Sequence, residues 1–490
     1  MVIKVNAENV NALSCWIDNL LKRLIQSGFL LSIVALPFMQ PLTIKLLGSK
    51  VQMVDFIFAA TITFWFLSLL IGSTKIRTGR FYLPLAGFAG AVILTSLMTP
   101  THGFSRVLIQ AYLISLAVLT YNLVKSRHDI EKVWFAWSST ALITAISILV
   151  SVLLFYIADI KDSNVNPVLW DGGSLPVGNY PRVRGFFLNG NMTGNYLAIS
   201  ACFCFGLALL RKPKLYRLLL ICGALMAFSA LFTISTALGG LGLVIGLMMW
   251  ALANRDPNLR FLKIALPLAI IGAAFLLIYA ATYPRYIDSE ITFEASPRWL
   301  AWKSSIVSVV KHPWFGNGLG AELADVHYHS YRGARQHLTD PHNVWLSVSG
   351  QMGVVGLIAF LALLVWLCRT TLVAFREGSR SIGARVGLGG ALLVVVYQSF
   401  SCSLEDMRHV WILFGLVAAT ADIQLTEQVQ NNSLRLSQTI INITPHPRLN
   451  PSPGSMVYFS KKVRNILDTT PPTAPHLAWQ TRQRRSGLSP

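Results

Sequence analysis

Charge is scarce in this sequence. Only 13% of its 490 residues are Asp, Glu, Lys or Arg, while 53% are apolar. That ratio excludes a string of soluble domains and points to repeated membrane crossings. Cysteine is scarce too: Cys15, Cys202, Cys204, Cys222, Cys368 and Cys402 lie in or beside apolar runs, and neither long loop holds one, so no disulfide framework is expected. The apolar runs lack the alternation of barrel strands, which leaves helices as the spanning element. They also hold almost no acids or bases at mid-depth, which argues against an ion-coupled pump. A cleavable signal peptide is not expected, because Glu8 and Asp18 interrupt the head and no small-residue cleavage site follows the first apolar run. The halves show no inverted repeat of the transporter kind.

What is present is a series of apolar stretches near the roughly 20 residues that a crossing needs. Twelve can be placed: 25–47, 51–72, 81–98, 104–124, 133–157, 191–210, 215–235, 237–253, 261–282, 343–368, 386–402 and 408–424. The expected fold is therefore an all-α polytopic integral membrane protein with about twelve transmembrane helices. The net charge of +20 is concentrated in short turns such as Lys75–Arg80, Lys125–Lys132, Arg211–Arg217 and Arg369–Arg385, and in the two ends of the chain. With alternating crossings all of these fall on one side, which the positive-inside rule makes cytoplasmic, so the charge signals topology and not nucleic acid. Both termini are then cytoplasmic. The organisation expected is a head at 1–24, a membrane domain at 25–424 with outer loops at 158–190 and 283–341, and a basic, mostly disordered tail at 425–490. Function is to be sought in the outer loops.

The second loop ends in "DPHNVWLSVSG", Asp340 to Gly350. Asp340 and Pro341 read as a cap and first helical position, which starts the tenth helix there and puts His342 and Asn343 in its first turn. The positive end of a helix disfavours imidazolium and attracts anions, and a neutral histidine beside an anion suits a general base; a capping or interfacial histidine is the plainer alternative. Gly350, Gly353 and Gly356 recur every three residues and mark a strip where another helix can approach closely. Before them, "SPRWLAWKSSIVSVVKHPWFGNGLG" starts at Ser296 and reads as an amphipathic helix with Trp299, Trp302, Ile306 and Val309 on one side, lying on the outer leaflet or against the membrane domain. Gly316, Gly318 and Gly320 then supply a flexible turn. In the earlier loop, the guanidinium forks of Arg182 and Arg184 suit a phosphate or lipid headgroups. His327 and His329 are near one another, but no spacing matches an established zinc site, so no metal is expected. Glu405 and Asp406 either orient a base or an arginine, or form a solvated turn.

A histidine, then Asn, nine residues, a glycine, two residues and another glycine, here His342, Asn343, Gly353 and Gly356, resembles the O-antigen ligases and polymerases of bacterial envelope polysaccharide assembly, a superfamily that includes protein O-oligosaccharyltransferases. "RGFFLNGN" and "RWLAWKSSIVSVVKHPWFGNGLG" are similar to its two arginine-bearing stretches, and the resemblance covers roughly residues 25–424. One departure is Thr236 in "ISTALGG", where many relatives have an arginine; it leaves one cationic contact to be supplied elsewhere and bears on substrate class. The resemblance implies a glycan donor on undecaprenyl diphosphate at the outer face of the inner membrane, and an acceptor that is another glycan or a lipid A core sugar. It further implies Arg184 and Arg298, with Arg182 behind them, at the diphosphate, His342 as the base, and Asn343 holding the ring or a sugar hydroxyl. Membrane lipids and polysaccharide-assembly proteins are the other partners expected, and no cofactor is. A transporter or lipid-linked glycan flippase with the same helix count is the competing reading; it predicts indifference to changes at His342.

Overall fold

A computed structural model describes residues 7–39, 43–46, 49–99, 104–158, 160, 168, 183–210, 213–233, 239–248, 257–282, 297–329, 335–374 and 382–443. The chain forms two compact units, residues 1–426 and 427–490. The second is described only as the end of the last helix, to Ile443.

Among the described residues the first unit is helical apart from two short hairpins. Helix α1 spans Ala7–Ala35, and the hairpin β1 (Thr43–Leu46) and β2 (Ser49–Gln52) leads into α2 (Met53–Leu70). Then come α3 (Tyr82–Met98), α4 (Phe104–Leu123), α5 (Arg127–Ile157), α6 (Gly190–Leu210), α7 (Pro213–Ala230), α8 (Gly239–Met248) and α9 (Ala265–Thr282). Helix α10 (Pro297–Lys311) and the hairpin β3 (Val326–His329) and β4 (Arg335–Leu338) precede α11 (Val344–Ala374). A segment made of α12 (Ile382–Ala384), a π-turn at Arg385–Gly389 and α13 (Gly390–Gln398) leads to α14 (Arg408–Ile443).

Among the described residues, six helices are long and apolar enough to cross a membrane, and five shorter apolar ones accompany them. All but the first of the expected crossings fall on these eleven. The first expectation, 25–47, needs correction: α1 starts at Ala7 and stops at Ala35, and its place is taken by a turn and the β1–β2 hairpin. Pro37 and Pro41 remove backbone donors there, and the β-branched Thr43 and Ile44 favour extended chain. The helix likewise runs through the boundary expected at residue 24, and α14 continues past 424 into the expected tail; residues 444–490 lie outside the described residues.

Helix α6 is the axis of the fold, buried along almost its whole length. Trp134 stacks on Phe203 and Trp137 on Tyr196, with ring centroids 5.2 and 5.4 Å apart. Trp137 Nε1 donates to Ser200 Oγ at 3.0 Å, so the buried indole is satisfied. Gly206 lets α6 touch α12 and the π-turn, since a Cβ there would lie 2.5 Å from the Gly383 carbonyl oxygen and 2.8 Å from the Gly387 backbone.

Polar groups gather at the two ends of the bundle. At one, Arg408 forms a bidentate pair with Asp55 (2.5 and 2.7 Å), Tyr112 donates to the same carboxylate at 2.8 Å, and Gln110 donates to Asp406 at 3.0 Å. At the other, Arg77 lies 3.7 Å from Asp422, Tyr121 donates to that carboxylate, and the Arg77 N–H donates to Asn122 at 2.8 Å. Arg408 and Asp422 are separated by about 21 Å of helix. The starts of α2 and α14 therefore share one end, beside the first half of α4.

Candidate functional site

The site is built around the start of α11. Asn343 is the cap of this helix: its side-chain oxygen accepts from the N–H groups of Trp345 (3.0 Å) and Leu346 (3.2 Å), and its amide donates to the Phe400 carbonyl at 3.3 Å. The Val344 N–H donates to the Ser399 carbonyl at 2.8 Å, which ties the helix start to the α13–α14 connection. Asp340 is not the cap that the sequence suggests. Its carboxylate accepts the His342 N–H at 2.7 Å and the Ser403 hydroxyl at 2.6 Å, forming a side-chain turn ahead of the helix. The helix consequently starts three residues later than the Asp-Pro pair implies, and His342 stands just outside it instead of within its first turn.

His342 has a φ of 50°, the one left-handed non-glycine among the described residues. That conformation costs an L-residue about 1–2 kcal/mol. Here it is imposed by the Asp340 turn on one side and the Asn343 cap on the other. The ring is one-third exposed, and its Nδ1 lies 3.8 Å from Asp340 Oδ2.

Below this corner α11 is broken at Gly353, whose φ of 64° and ψ of −162° interrupt the helix. What lies against the glycines is a loop, not the helix expected from their spacing. The Val354 N–H donates to the Pro313 carbonyl (2.7 Å), and Asn317 and Gly318 donate from their backbones to the Gly350 and Gln351 carbonyls (2.8 and 3.0 Å). A Cβ on Gly353 would lie 2.3 Å from the Trp314 carbonyl group, and one on Gly350 would lie 2.6 Å from the Leu323 side chain. A Cβ on Gly356 would meet its own helix instead, 2.2 Å from the Met352 Cβ. The glycine-rich turn after α10 thus replaces the hydrogen-bond partners that the break removes.

Of the two placements open to the tryptophan stripe of α10, packing against the membrane domain is not the one seen, because the helix buries its opposite face. Pro297, Arg298, Ala301 and Ser305 form its buried face, while Trp299, Ile306 and Val310 point outward. Arg298 is only 5% exposed. One turn along, Trp302 Nε1 donates to the Pro341 carbonyl at 2.8 Å, so the Arg298 helix is fastened to the residue preceding His342. Arg184 is held by its backbone: its N–H donates to Val168 (2.9 Å), and its carbonyl accepts from Thr193 in the first turn of α6. Arg182 and Thr236 lie outside the described residues. From α6, Asn195 bonds to Gln398 and, at 2.7 Å, to His409, which links the first turns of α6 to the connection carrying Ser399, Phe400 and Ser403.

Two residues gain weight that the sequence did not give them. Arg106, in the first turn of α4, is exposed and lays its stem over the glycine-rich turn; a Cβ on Gly320 would lie 2.6 Å from its Nε. No motif surrounds Arg106, so only the fold reveals it. Glu405 is buried (5% exposed), not in a solvated turn, and one of its carboxyl oxygens has no hydrogen-bond partner. Burial, and then the neighbouring Asp406 and Asp340 carboxylates, holds its carboxyl well above the usual range.

Residues 220–361, from α7 to the middle of α11, match the family described as O-Antigen ligase. A curated O-antigen ligase from Pseudomonas aeruginosa PAO1 is 28% identical over 195 residues. Over these segments the chain is similar to the O-antigen ligases. The alignment covers 40% of the chain and 44% of that O-antigen ligase, under half the length of either. The family match contains Arg298, the glycine-rich turn, His342, Asn343 and Gly353, whereas Arg106, Arg184 and Glu405 lie outside it.

Proposed function

We propose that this chain is a metal-independent glycosyltransferase at the periplasmic face of the inner membrane, moving a glycan from an undecaprenyl-diphosphate carrier to an acceptor sugar. The observation that carries the reading is the left-handed His342, which lies with Asp340 and Asn343 inside the segment that matches the O-antigen ligases and is held there by those two residues, Asp340 being fixed in turn by Ser403. Backbone strain of this kind persists where the surroundings enforce it, and such places concentrate at functional sites.

His342 takes the proton from the acceptor hydroxyl as that oxygen attacks the anomeric carbon. The sugar–phosphate bond breaks, and the diphosphate leaves with the electron pair. Asp340 orients the ring and balances the imidazolium once the proton has moved. Arg184 and Arg298, with Arg182 in support, neutralise the growing charge on the diphosphate, which fixed cations can stabilise without a metal. Asn343 keeps the helix start in place. The basic turns set the cytoplasmic side, and with it both termini.

The test is His342→Ala, checked for membrane insertion and assayed with lipid-linked donor and acceptor. Loss of a general base is expected to lower transfer about 100-fold or more; an undiminished rate removes His342 from the mechanism. In the host, deletion separates the two acceptors: accumulation of long lipid-linked chains marks a ligase, and loss of all long chains marks a polymerase.

A further inference from the structure

The β3–β4 hairpin brings together three metal-ligating side chains that the transfer reaction does not use. His327 and His337 are direct cross-strand partners, and their rings stack with centroids 4.2 Å apart. Asp325, just before β3, lies between them: its Oδ1 is 2.8 Å from His337 Nε2 and 3.3 Å from His327 Nδ1. One donor atom from each residue falls within 4.8 Å of the other two.

We propose that Asp325, His327 and His337 form a binding site for a divalent transition metal of the zinc class. Two ligands at zinc distances of about 2.0–2.1 Å stand about 3.3 Å apart in a tetrahedron and about 2.9 Å apart at a right angle. The two imidazole-to-carboxylate separations match that range before any side chain moves. Imidazole donors favour zinc, copper or nickel over magnesium or calcium. All three side chains are exposed, at 80%, 73% and 41% for Asp325, His327 and His337, so water can complete the coordination shell.

The position gives the ion a role. Leu323 and Ala324 donate from their backbones to the Thr339 carbonyl at 3.1 and 3.2 Å, closing the hairpin at the residue before Asp340. A metal clamping β3 to β4 therefore braces the chain as it enters the Asp340–His342 turn. It is a brace and not part of the group transfer, and it stands whether or not the glycan-transfer reading does.

The experiment uses the full chain without a polyhistidine tag, in detergent, stripped by chelator and titrated with zinc chloride against a chromophoric competitor, with zinc-edge X-ray absorption on the loaded protein. One equivalent of zinc is expected, coordinated by nitrogen and oxygen including two imidazoles. The double variant His327→Ala and His337→Ala is expected to bind at least 100-fold more weakly, and Asp325→Asn at least tenfold more weakly. Failure to bind zinc at micromolar concentration, unchanged affinity in the double variant, or sulfur in the coordination shell overturns the site. His337→Gln, the mildest change, replaces the double variant if metal-free melting shows that one to be misfolded.

Discussion

His342 and Glu405 are ionisable side chains at one corner of the molecule, and the fold treats them in opposite ways. The ring of His342 is one-third exposed in a conformation that disfavours it, whereas Glu405 is buried with an oxygen unpartnered. His342→Gly relieves the left-handed backbone, so the melting temperature is expected to hold or to rise by the equivalent of about 1 kcal/mol while transfer is lost. A histidine kept only for capping would give the reverse, lower stability with activity retained. Glu405 carries a pH signature. Because its folded carboxyl sits above the ordinary range, the folded state holds that proton more tightly than the unfolded one. Stability is then greatest below the ordinary carboxylate range, falls as pH climbs towards the folded value, and levels off beyond it. Melting curves across that window are expected to lose this slope in Glu405→Gln.

Among elements, α11 shows both what a sequence can say and where it falls silent. Its apolar run and its glycines are plain to read, and so is a helix start near Asp340. The start was displaced by three residues because Asp-Pro suits a cap by local rules, whereas the actual use of Asp340 depends on Ser403, 63 residues further on. The glycines signalled a close approach but not what approaches: a spacing of three is the same whether a helix or a loop lies against it. Gly353 and Gly356 are equivalent in the motif and unequal in the structure. Gly353→Ala combines a left-handed backbone with a Cβ driven into the Trp314 carbonyl, so a loss of about 3 kcal/mol or more is expected. Gly356→Ala keeps a helical backbone but brings its Cβ to 2.2 Å from the Met352 Cβ one turn earlier, so the helix must shift locally and a smaller loss, of about 1–2 kcal/mol, is expected. Thermal unfolding of the two variants checks the contrast. Helix α10 teaches the same lesson, since its tryptophan stripe was legible but the buried face carries the arginine.

For the whole molecule, helix positions were largely legible because each crossing must be apolar over a fixed length, a demand that needs no knowledge of neighbours. Partnerships between helices were not, because an all-apolar helix has no preferred face to read. The Asp55–Arg408–Tyr112 group, which joins α2, α14 and α4, is the kind of pairing that only the assembled bundle shows. Asp55→Asn strands the Arg408 charge, and a destabilisation on the order of 3 kcal/mol is expected, read as a lower melting temperature in detergent. The break at Gly353 matters at this scale too. The part of α11 below it, Val354–Ala374, is about 31 Å long and by itself covers the hydrocarbon thickness of a bilayer. The part above, Val344–Met352, is about 13 Å long and works as a stilt, setting the height and compass bearing of His342 over the lipid. One residue inserted below the break can be absorbed by tilting. One inserted above it swings the ring, and Asp340 with it, by about 100° and out of register with Ser399 and Ser403.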